Sequence, residues 1–322
     1  MPTRPVIGID LGGTNMQIGV VDAAGAGKVT GHAKKKTRAA EGFKAVVGRM
    51  AEGIEEACKE AGVAVRSLAS IGIGAAGAVE PRTGVVLQAP NLRWTNAPLA
   101  RTLSHATGRP VFVTNDVRAA VIGEHTHGAG KGASHLLAVW IGTGIGGGLI
   151  LDNRLYPGYF NTAGEIGHMM LLPCSPPGQR SFEHNCSRTA IADRIVRLIR
   201  IGRPSIVSRL TEGDLSEVKA RIIAEAYRRE DALVREVVDD AARHIGATIA
   251  SINSAVSLQR VVLGGGLTEA MGEALVRPVR AAHTATVYPH ILRKTEIVKT
   301  KLDDLAGVVG AAVFAHKKGK VD

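Results

Sequence analysis

Aromatic residues are scarce in this chain of 322 residues, since Phe, Tyr and Trp together make up 3% of it. Stacking of bases on aromatic side chains, the usual way to hold single-stranded nucleic acid, is therefore poorly supported. The net charge is +11, but the Lys and Arg residues are scattered and do not gather on one predicted face. The short basic runs at 34–36 and 317–318 are typical of a solvated strand edge and a solvated tail. We expect no nucleic acid partner.

Cysteine is also scarce, with only Cys58, Cys174 and Cys186 present. So small and odd a number is atypical of a disulfide framework and favours a reducing compartment. The first residues lead directly into an apolar strand pattern, without the basic and then apolar stretch of a signal peptide. No apolar run approaches membrane-spanning length. These absences predict a cytoplasmic protein with no membrane partner.

The chain lacks the GxxxxGK[ST] pattern of a Walker phosphate loop. In its place, near the start, stands the run Val6-Ile-Gly-Ile-Asp10-Leu-Gly12-Gly13-Thr14-Asn15-Met-Gln-Ile-Gly-Val-Val-Asp22. This run predicts a β-hairpin whose tip consists of backbone N–H groups and one hydroxyl. Glycines let the main chain approach a polyanion closely, and successive N–H groups form a concave anion site. Asp10 is placed to hold a metal ion beside the phosphates.

Residues 137–152 repeat this strand, glycine turn and strand, with the turn at Gly142, Thr143 and Gly144. The segment contains GxGxxG, but a Rossmann fingerprint must open a helix, whereas here the residues from Gly148 onward resume a strand. Two matched hairpins predict a duplicated fold with phosphate held between the halves.

The remaining pattern is that of a mixed α/β protein. The first half predicts the order β-β-β-α-β-α-β and ends its last strand at Asn115, which is the order of an actin-like ATPase half. The second half turns helical after its hairpin, with helices over 215–227 and 231–256, the latter carrying one apolar stripe. A third strand-to-glycine junction at 264–266 opens a helix, and residues 306–316 predict an apolar closing helix.

Seven motifs occur in a fixed order: DLGGTN at Asp10, APNL at Ala89, ND at Asn115, IGTGIGGG at Ile141, GEIGHM at Gly164, GGGL at Gly264 and AGVVGAA at Ala306. With them the chain resembles the ROK (repressor, open reading frame, kinase) sugar kinases of the actin-like/hexokinase superfamily, from Ile7 to Ala315. The resemblance implies an α/β protein with a duplicated actin-like (ribonuclease H-like) ATPase fold and two domains around a central cleft. It implies a small α/β domain of residues 1–116, joined by the C-terminal helix 304–318, and a large α/β domain of residues 117–303.

The resemblance also implies ATP and Mg²⁺ as cofactors and assigns roles to residues. It places ATP at Asp10, Gly12, Gly13, Thr14, Asn15, Gly142, Thr143, Gly144, Gly264, Gly265 and Gly266, with Asp10 holding Mg²⁺ through the phosphates or water. It places a sugar at Gly77, Asn91, Asn115, Asp116, Glu165, His168 and Glu183. Asp116 would be the catalytic general base. These residue types suit the chemistry, since a sugar needs several amides and acceptors and a hydroxyl nucleophile needs one carboxylate near its proton.

Simpler interpretations stand beside these roles. Asp116 could cap the helix that follows it. Glu165 and His168, three residues apart, could form a surface pair, and Glu183 lies where the sequence departs from the family.

That departure concerns zinc. ROK kinases usually carry CxCGxxGC after GEIGH, and with the motif's histidine the three cysteines hold one Zn²⁺. Here Cys174 falls on the first cysteine, but Pro176 and Ser181 replace the other two. We expect zinc to be absent and the loop to be held by Phe182 and by proline rigidity. The alternative is an irregular site made of Cys174, His184, Cys186 and His168.

The activity implied is ATP-dependent phosphorylation of the 6-hydroxyl of a hexose, glucose first, as in glycolysis. N-acetylmannosamine, N-acetylglucosamine and fructose kinases use nearly the same residues and stay open, as does polyphosphate as the donor. The repressor branch carries a helix-turn-helix before the first strand, and only five residues precede Val6, so we expect no DNA-reading domain. A non-catalytic sugar-sensing protein is disfavoured because both glycine turns and Asp116 are intact. Family habit implies a homodimer.

Overall fold

The structure is a computed structural model that describes residues 4–320. These residues divide into two compact units, one made of 4–132, 148–163 and 304–320 and the other of 133–147 and 164–303. The domain boundaries implied by the resemblance, at residues 116 and 303, stay a prediction. Every helix formed by residues 4–320 is too short or too polar to span a lipid bilayer.

The strands are β1 (Val6–Leu11), β2 (Asn15–Val21), β3 (Val29–Lys36), β4 (Ile71–Ala75), β5 (Ala78–Glu80), β6 (Val85–Ala89), β7 (Trp94–Ala97), β8 (Val111–Asn115), β9 (Leu136–Ile141), β10 (Ile145–Leu151), β11 (Arg154–Leu155), β12 (Arg260–Gly264) and β13 (Glu296–Lys299). The helices are α1 (Phe43–Glu60), α2 (Leu99–Thr107), α3 (Asp116–His127), α4 (Phe182–Cys186), α5 (Arg188–Arg200), α6 (Val207–Leu210), α7 (Ala220–Arg228), α8 (Ala232–Val256), α9 (Gly266–Met271), α10 (Glu273–Thr286) and α11 (Ala306–His316).

Two five-stranded sheets have the same strand order. The first runs β3-β2-β1-β4-β8 and the second runs β11-β10-β9-β12-β13. In both, the first strand along the chain is central, the next two lie in order on one side of it, and the last two lie in order on the other side. In the first sheet β1 is antiparallel to β2 and parallel to β4, and β4 is parallel to β8. In the second, β12 is parallel to both β9 and β13. The duplication predicted from the two glycine hairpins is therefore confirmed, and a small sheet of β5, β6 and β7 is added to the first half.

The register of the first sheet explains where polar side chains meet. Leu11 of β1 pairs with Ala75 of β4, and Ala75 pairs with Asn115 of β8. The carboxyl ends of three parallel strands thus stop at one edge, where Asp10 and Asn115 lie. Buried apolar residues fill the strands behind that edge, as expected for parallel strands covered on both faces.

The last helix, α11, is buried around its whole circumference. It can approach its neighbours closely because glycines face it. A Cβ on Gly8 of β1 would lie 2.8 Å from the carbonyl carbon of Val308, and one on Gly72 of β4 would overlap with the backbone of Ala311. Helix α3 meets α11 in the same way at Gly310. Three elements of the first unit therefore depend on backbone-to-backbone packing against one helix.

One predicted helix starts later than expected. The pattern over 215–227 predicts a single helix, but α7 begins at Ala220 after a separate 3₁₀ turn over Leu215–Glu217. The Asp214 side chain accepts hydrogen bonds from the backbone N and the hydroxyl of Ser216. Such a local bond offers the backbone an alternative to the helix.

The close packing of α11 gives a test. A methyl group at Gly310 would lie 2.6 Å from the carbonyl carbon of Ala119 and 2.7 Å from the backbone N of Gly123. We expect Gly310→Ala to lower the free energy of unfolding by about 1–3 kcal/mol, because the two helices must separate. Gly48→Ala is the matched control, since Gly48 lies in α1 with nothing within 4 Å of a Cβ.

In the control, lower backbone entropy in the unfolded chain should raise stability by about 0.5–1 kcal/mol. Urea unfolding followed by circular dichroism measures both variants. Equal stability of the two would contradict the packing described for α11.

Candidate functional site

The first glycine turn has two backbone N–H donors without an acceptor in the part of the chain that the structure describes. The N–H of Gly12 donates to the carbonyl of Asn15 at 3.1 Å. The next two N–H groups, of Gly13 and Thr14, find no acceptor among residues 4–320. Neighbouring N–H groups without protein partners are what binds an anion at such a turn.

Thr37, which sequence analysis did not select, explains how this turn is held. Its backbone N donates to the carbonyl of Thr14 at 2.8 Å, and its hydroxyl donates to the carbonyl of Gly12 at 2.6 Å. Thr37 is fully buried. Thr37 therefore holds two carbonyls of the turn, those of Gly12 and Thr14. A threonine just after the basic run at 34–36 gave no signal in the sequence.

Asp10 lies beside the first turn of α11. A Cβ on Gly307 would lie 2.7 Å from both Cγ and Oδ2 of Asp10, so only glycine leaves room for this carboxylate. The N-terminus of a helix carries partial positive charge and stabilises a nearby anion. The last helix therefore both supports β1 and accommodates the carboxylate predicted to hold a metal ion.

Asn91, predicted to bind sugar, lies against the first glycine turn. A Cβ on Gly13 would lie 2.8 Å from Cβ of Asn91 and 3.0 Å from its carbonyl oxygen. Asn91 belongs to a 3₁₀ turn, Pro90–Leu92, and its side chain is exposed. Within this unit, the structure thus brings one predicted sugar residue against the predicted phosphate turn.

Asn115 and Gly77 form a second pair in this unit. Nδ2 of Asn115 donates to the carbonyl of Gly77 at 3.1 Å, and Oδ1 accepts from the backbone N of Arg118 at 3.2 Å. Gly77 has φ of 114°, and a Cβ there would overlap with the carbonyl of Gln88. Glycine is therefore required at position 77 for a conformational reason as well as for space.

The cap of α3 is Asn115, whose side chain accepts from the helix N-terminus, and Asp116 is the first residue inside the helix. Oδ1 of Asp116 accepts from the backbone N of Val117 at 2.9 Å. The residue that caps α3 is therefore Asn115, and the interpretation of Asp116 as the cap is wrong. Asp116 lies at the carboxyl edge of β8, beside Asn115.

The second glycine turn has the same features as the first. The N–H of Gly142 donates to the carbonyl of Gly144 at 2.9 Å. The N–H groups of Thr143 and Gly144 have no acceptor within the described residues. The carbonyl of Gly142 accepts from the backbone N of Arg188 at 3.0 Å, much as Thr37 holds the first turn.

Glu183 lies against this second turn. Its Oε2 accepts from the backbone N of Ile145 at 2.7 Å, and a Cβ on Gly144 would overlap with the same carboxylate. A Cβ on Gly167 would lie 3.4 Å from Cβ of Glu183. The glutamate therefore contacts both the second glycine turn and the turn that carries Glu165 and His168, a position that its sequence context did not predict.

Glu165 directly precedes the 3₁₀ turn Ile166–His168, and His168 is its last residue. Both side chains are exposed, and neither forms a side-chain hydrogen bond or ion pair within residues 4–320. The surface-pair interpretation therefore finds no contact in the structure, and both side chains are available to a ligand.

The third glycine junction lies at the end of β12. A Cβ on Gly264 would lie 2.7 Å from the Trp140 ring, and one on Gly265 would lie 2.7 Å from the backbone N of Ile141. Gly266 opens α9 and has nothing within 4 Å of its Cβ position. This junction is packed on one side against β9 and open on the other.

Arg118 is a further residue that sequence analysis missed. It is 7% exposed, and its guanidinium donates to the side chain of Asn161 and to the carbonyls of Pro157, at 3.3 Å, and Ala163, at 3.5 Å. Nδ2 of Asn161 in turn donates to the carbonyl of Val79 at 3.3 Å. These bonds fix the segment that precedes Glu165 in the chain. A buried arginine among acceptors has no local sequence signal.

Known proteins are similar to this chain in sequence and fold over almost their whole length. Residues 6–318 match the model of the ROK family, so the chain belongs to the ROK family. It is 33% identical to a glucokinase from Thermotoga maritima over 327 residues, which covers 99% of each chain. It is similar to the structure of a ROK family glucokinase from Streptomyces griseus in complex with glucose and AMPPNP, with a TM-score of 0.86, 30% identity and coverage of 97% of this chain and 99% of the other.

A putative xylose repressor from a Caldicellulosiruptor species is 31% identical over 269 residues, which covers 81% of this chain and 66% of that one. The actin-like ATPase fold and the ROK resemblance expected from the sequence are both confirmed.

The loop that departs from the family motif has its own supports. Ser181 caps α4 by accepting from the backbone N of His184 at 3.2 Å, and Phe182 is 1% exposed. Pro176 accepts from the backbone N of Gln179 in a turn. Among residues 4–320, no three His, Cys, Asp or Glu side chains are arranged to hold a metal ion. The absence of zinc stays a prediction.

Zinc removal tests that prediction. A structural site needs four N or S ligands, so a chain that lacks two of the thiolates should keep its activity and melting temperature in a strong zinc chelator once Mg²⁺ is resupplied.

Burial raises the pKa of Cys186 to about 12, so its thiol stays protonated at neutral pH. Iodoacetamide should therefore label the exposed Cys174 and spare Cys186 in the native protein.

Elemental analysis measures directly whether the purified protein contains zinc. One zinc per chain, together with loss of activity on its removal, would show that Cys174, Cys186 and a histidine have rebuilt the site.

Proposed function

We propose that this ROK protein is an ATP-dependent hexose kinase that phosphorylates the 6-hydroxyl of glucose. One observation carries the proposal: in each unit, a glycine turn with two unused N–H groups lies against a predicted sugar residue. Gly13 packs against Asn91 in the first unit, and Gly144 packs against Glu183 in the second. The glucokinases among the relatives support glucose as the substrate.

The residues present suit a nucleotide and Mg²⁺. The unused N–H groups of both turns would bind phosphate oxygens, and Asp10 would hold Mg²⁺ directly or through water. A Cβ on Gly266 would have none of the described atoms within 4 Å, and one on Gly142 would meet only the carbonyl oxygen of Gly144 at 4.0 Å, which leaves room for the phosphates and the adenosine. Bound Mg²⁺ would neutralise charge that develops on the phosphates, and ATP would supply the phosphoryl group.

The sugar would be held by side chains that the protein leaves exposed. Asn91, Glu165 and His168 offer amide, carboxylate and imidazole groups to its hydroxyls. The second oxygen of Glu183 and the remaining N–H of Asn115 would complete the set. Asp116 would take the proton from the attacking 6-hydroxyl, since phosphoryl transfer leaves little covalent chemistry to the protein beyond positioning and this proton.

We extend the proposal to a cytoplasmic homodimer that acts in glycolysis. Its alternatives are kinases of N-acetylmannosamine, N-acetylglucosamine or fructose, polyphosphate as donor, and a sugar-sensing protein without catalysis.

A coupled assay decides among these substrates. Purified protein at saturating Mg-ATP should release ADP when glucose is present and should yield glucose 6-phosphate. The same assay with N-acetylmannosamine, N-acetylglucosamine, fructose and mannose ranks the acceptors, and polyphosphate in place of ATP tests the donor. Folded protein that binds glucose but releases no ADP with any of these sugars would instead support the sugar-sensing alternative.

Asp116→Asn tests the general base. The amide keeps an oxygen that can accept from the backbone N of Val117, so α3 should be undisturbed. Without the carboxylate, kcat should fall by about 10²–10⁴-fold, while the affinity for glucose changes little. Asp193→Asn on α5 is the control, because Asp193 is exposed and forms no ion pair within the described residues. Near-normal kcat in Asp116→Asn would remove Asp116 from the catalytic machinery.

A further inference from the structure

Arg188 brings a positive charge to the second glycine turn. It is the first residue of α5, after the cap Ser187. Its Nη2 donates to the hydroxyl of Thr143 at 3.1 Å and to the hydroxyl of Thr189 at 3.3 Å. Because its backbone N also holds the carbonyl of Gly142, both the main chain and the side chain of Arg188 lie on this turn.

Among the described residues, no carboxylate is paired with this positive charge. Within residues 4–320, Arg188 forms no ion pair, and its Nε and Nη1 donate to no acceptor. The carboxylate at the turn, that of Glu183, is occupied at Oε2 by the backbone N of Ile145. A cation at the start of a helix is also unfavourable toward the helix dipole. Hydrogen bonds to two neutral hydroxyls therefore do not explain a positive charge at this position.

An anion would account for it. The N–H groups of Thr143 and Gly144 and the free edge of the Arg188 guanidinium form one group of unused donors around a single turn. A guanidinium is planar and binds phosphate through two parallel hydrogen bonds. Positive side chains on the transferred phosphoryl group stabilise the charge that develops there.

We propose that Arg188 binds the terminal phosphates of the nucleotide at the Gly142–Gly144 turn and stabilises the phosphoryl group during transfer. This inference rests on the proposed function, because it assigns the same turn to the phosphates of ATP. Arg188 belongs to none of the motifs that carry the family resemblance.

Three variants separate this role from a structural one. Arg188→Gln removes the charge but leaves the backbone bond to Gly142, and Arg188→Lys keeps the charge but loses the planar fork. Arg197→Gln is the matched control, since Arg197 lies on the same helix, is exposed and forms no ion pair within the described residues. Calorimetry measures the binding of AMPPNP and adenosine, steady-state kinetics measures kcat and both KM values, and melting temperature checks folding.

Arg188→Gln should bind AMPPNP about 10- to 100-fold more weakly, because a charge-assisted hydrogen bond is lost. Its affinity for adenosine and its KM for glucose should stay as in the unaltered protein. The kcat/KM for ATP should fall at least as much as AMPPNP affinity. Arg188→Lys should recover part of the loss, and Arg197→Gln should show none.

Two results would overturn the inference. One is Arg188→Gln behaving like Arg197→Gln. The other is a loss of adenosine affinity as large as that of AMPPNP, since this would mean that Arg188 only holds the turn. An unaltered protein that binds AMPPNP but phosphorylates no sugar would refute the proposed function alone, and the binding measurements would still decide the role of Arg188. Failure of the unaltered protein to bind AMPPNP would refute both.

Discussion

The first unit depends on the close approach of α11 to its neighbours. The helix has no polar face, and it packs backbone to backbone on β1, β4 and α3 where glycines face it. The same contact sets the position of Asp10, because Gly307 in the first turn of α11 leaves room for that carboxylate. Interiors are close-packed, so an added methyl group cannot be absorbed locally. The packing of the core and the position of Asp10 at the edge of the sheet therefore both depend on α11.

The two glycine turns are built on the same physical solution although their sequences differ. In each, the first N–H is used within the turn and a backbone N from later in the chain holds a carbonyl. The next two N–H groups have no acceptor among residues 4–320. Thr37 provides that backbone N for the first turn, and Arg188 provides it for the second. Successive N–H groups without acceptors among the described residues form a concave surface that favours an anion, which is the basis of the phosphate sites proposed above. The guanidinium of Arg188 adds a positive charge to the second turn, whereas the hydroxyl of Thr37 adds no charge to the first.

Several expectations from the sequence needed the structure to refine them. The cap of α3 is Asn115 and not Asp116, because the asparagine side chain reaches the N–H of Arg118. The helix expected over 215–227 is interrupted, because Asp214 binds Ser216 locally. Glu183, uncertain in the sequence, is placed between two turns of the second unit by contacts to Gly144 and Gly167. In each case a side chain contacts one particular group out of several nearby. The periodicity of the sequence does not specify which group that is.

The sequence by itself determined the duplicated strand-turn-strand pattern, the ROK family and the residue types of the candidate site. It could do so because glycine turns, apolar strands and motif order are local properties that short segments encode directly. Only the tertiary structure decided that Gly13 lies on Asn91, that Arg118 holds the segment over 157–163, and that Arg188 lies on Thr143. These contacts join residues that are 39 or more positions apart, as from Arg118 to Pro157, and they depend on how whole elements pack. Hydrogen bonds between distant residues follow from the packing of the fold, and no local pattern specifies them.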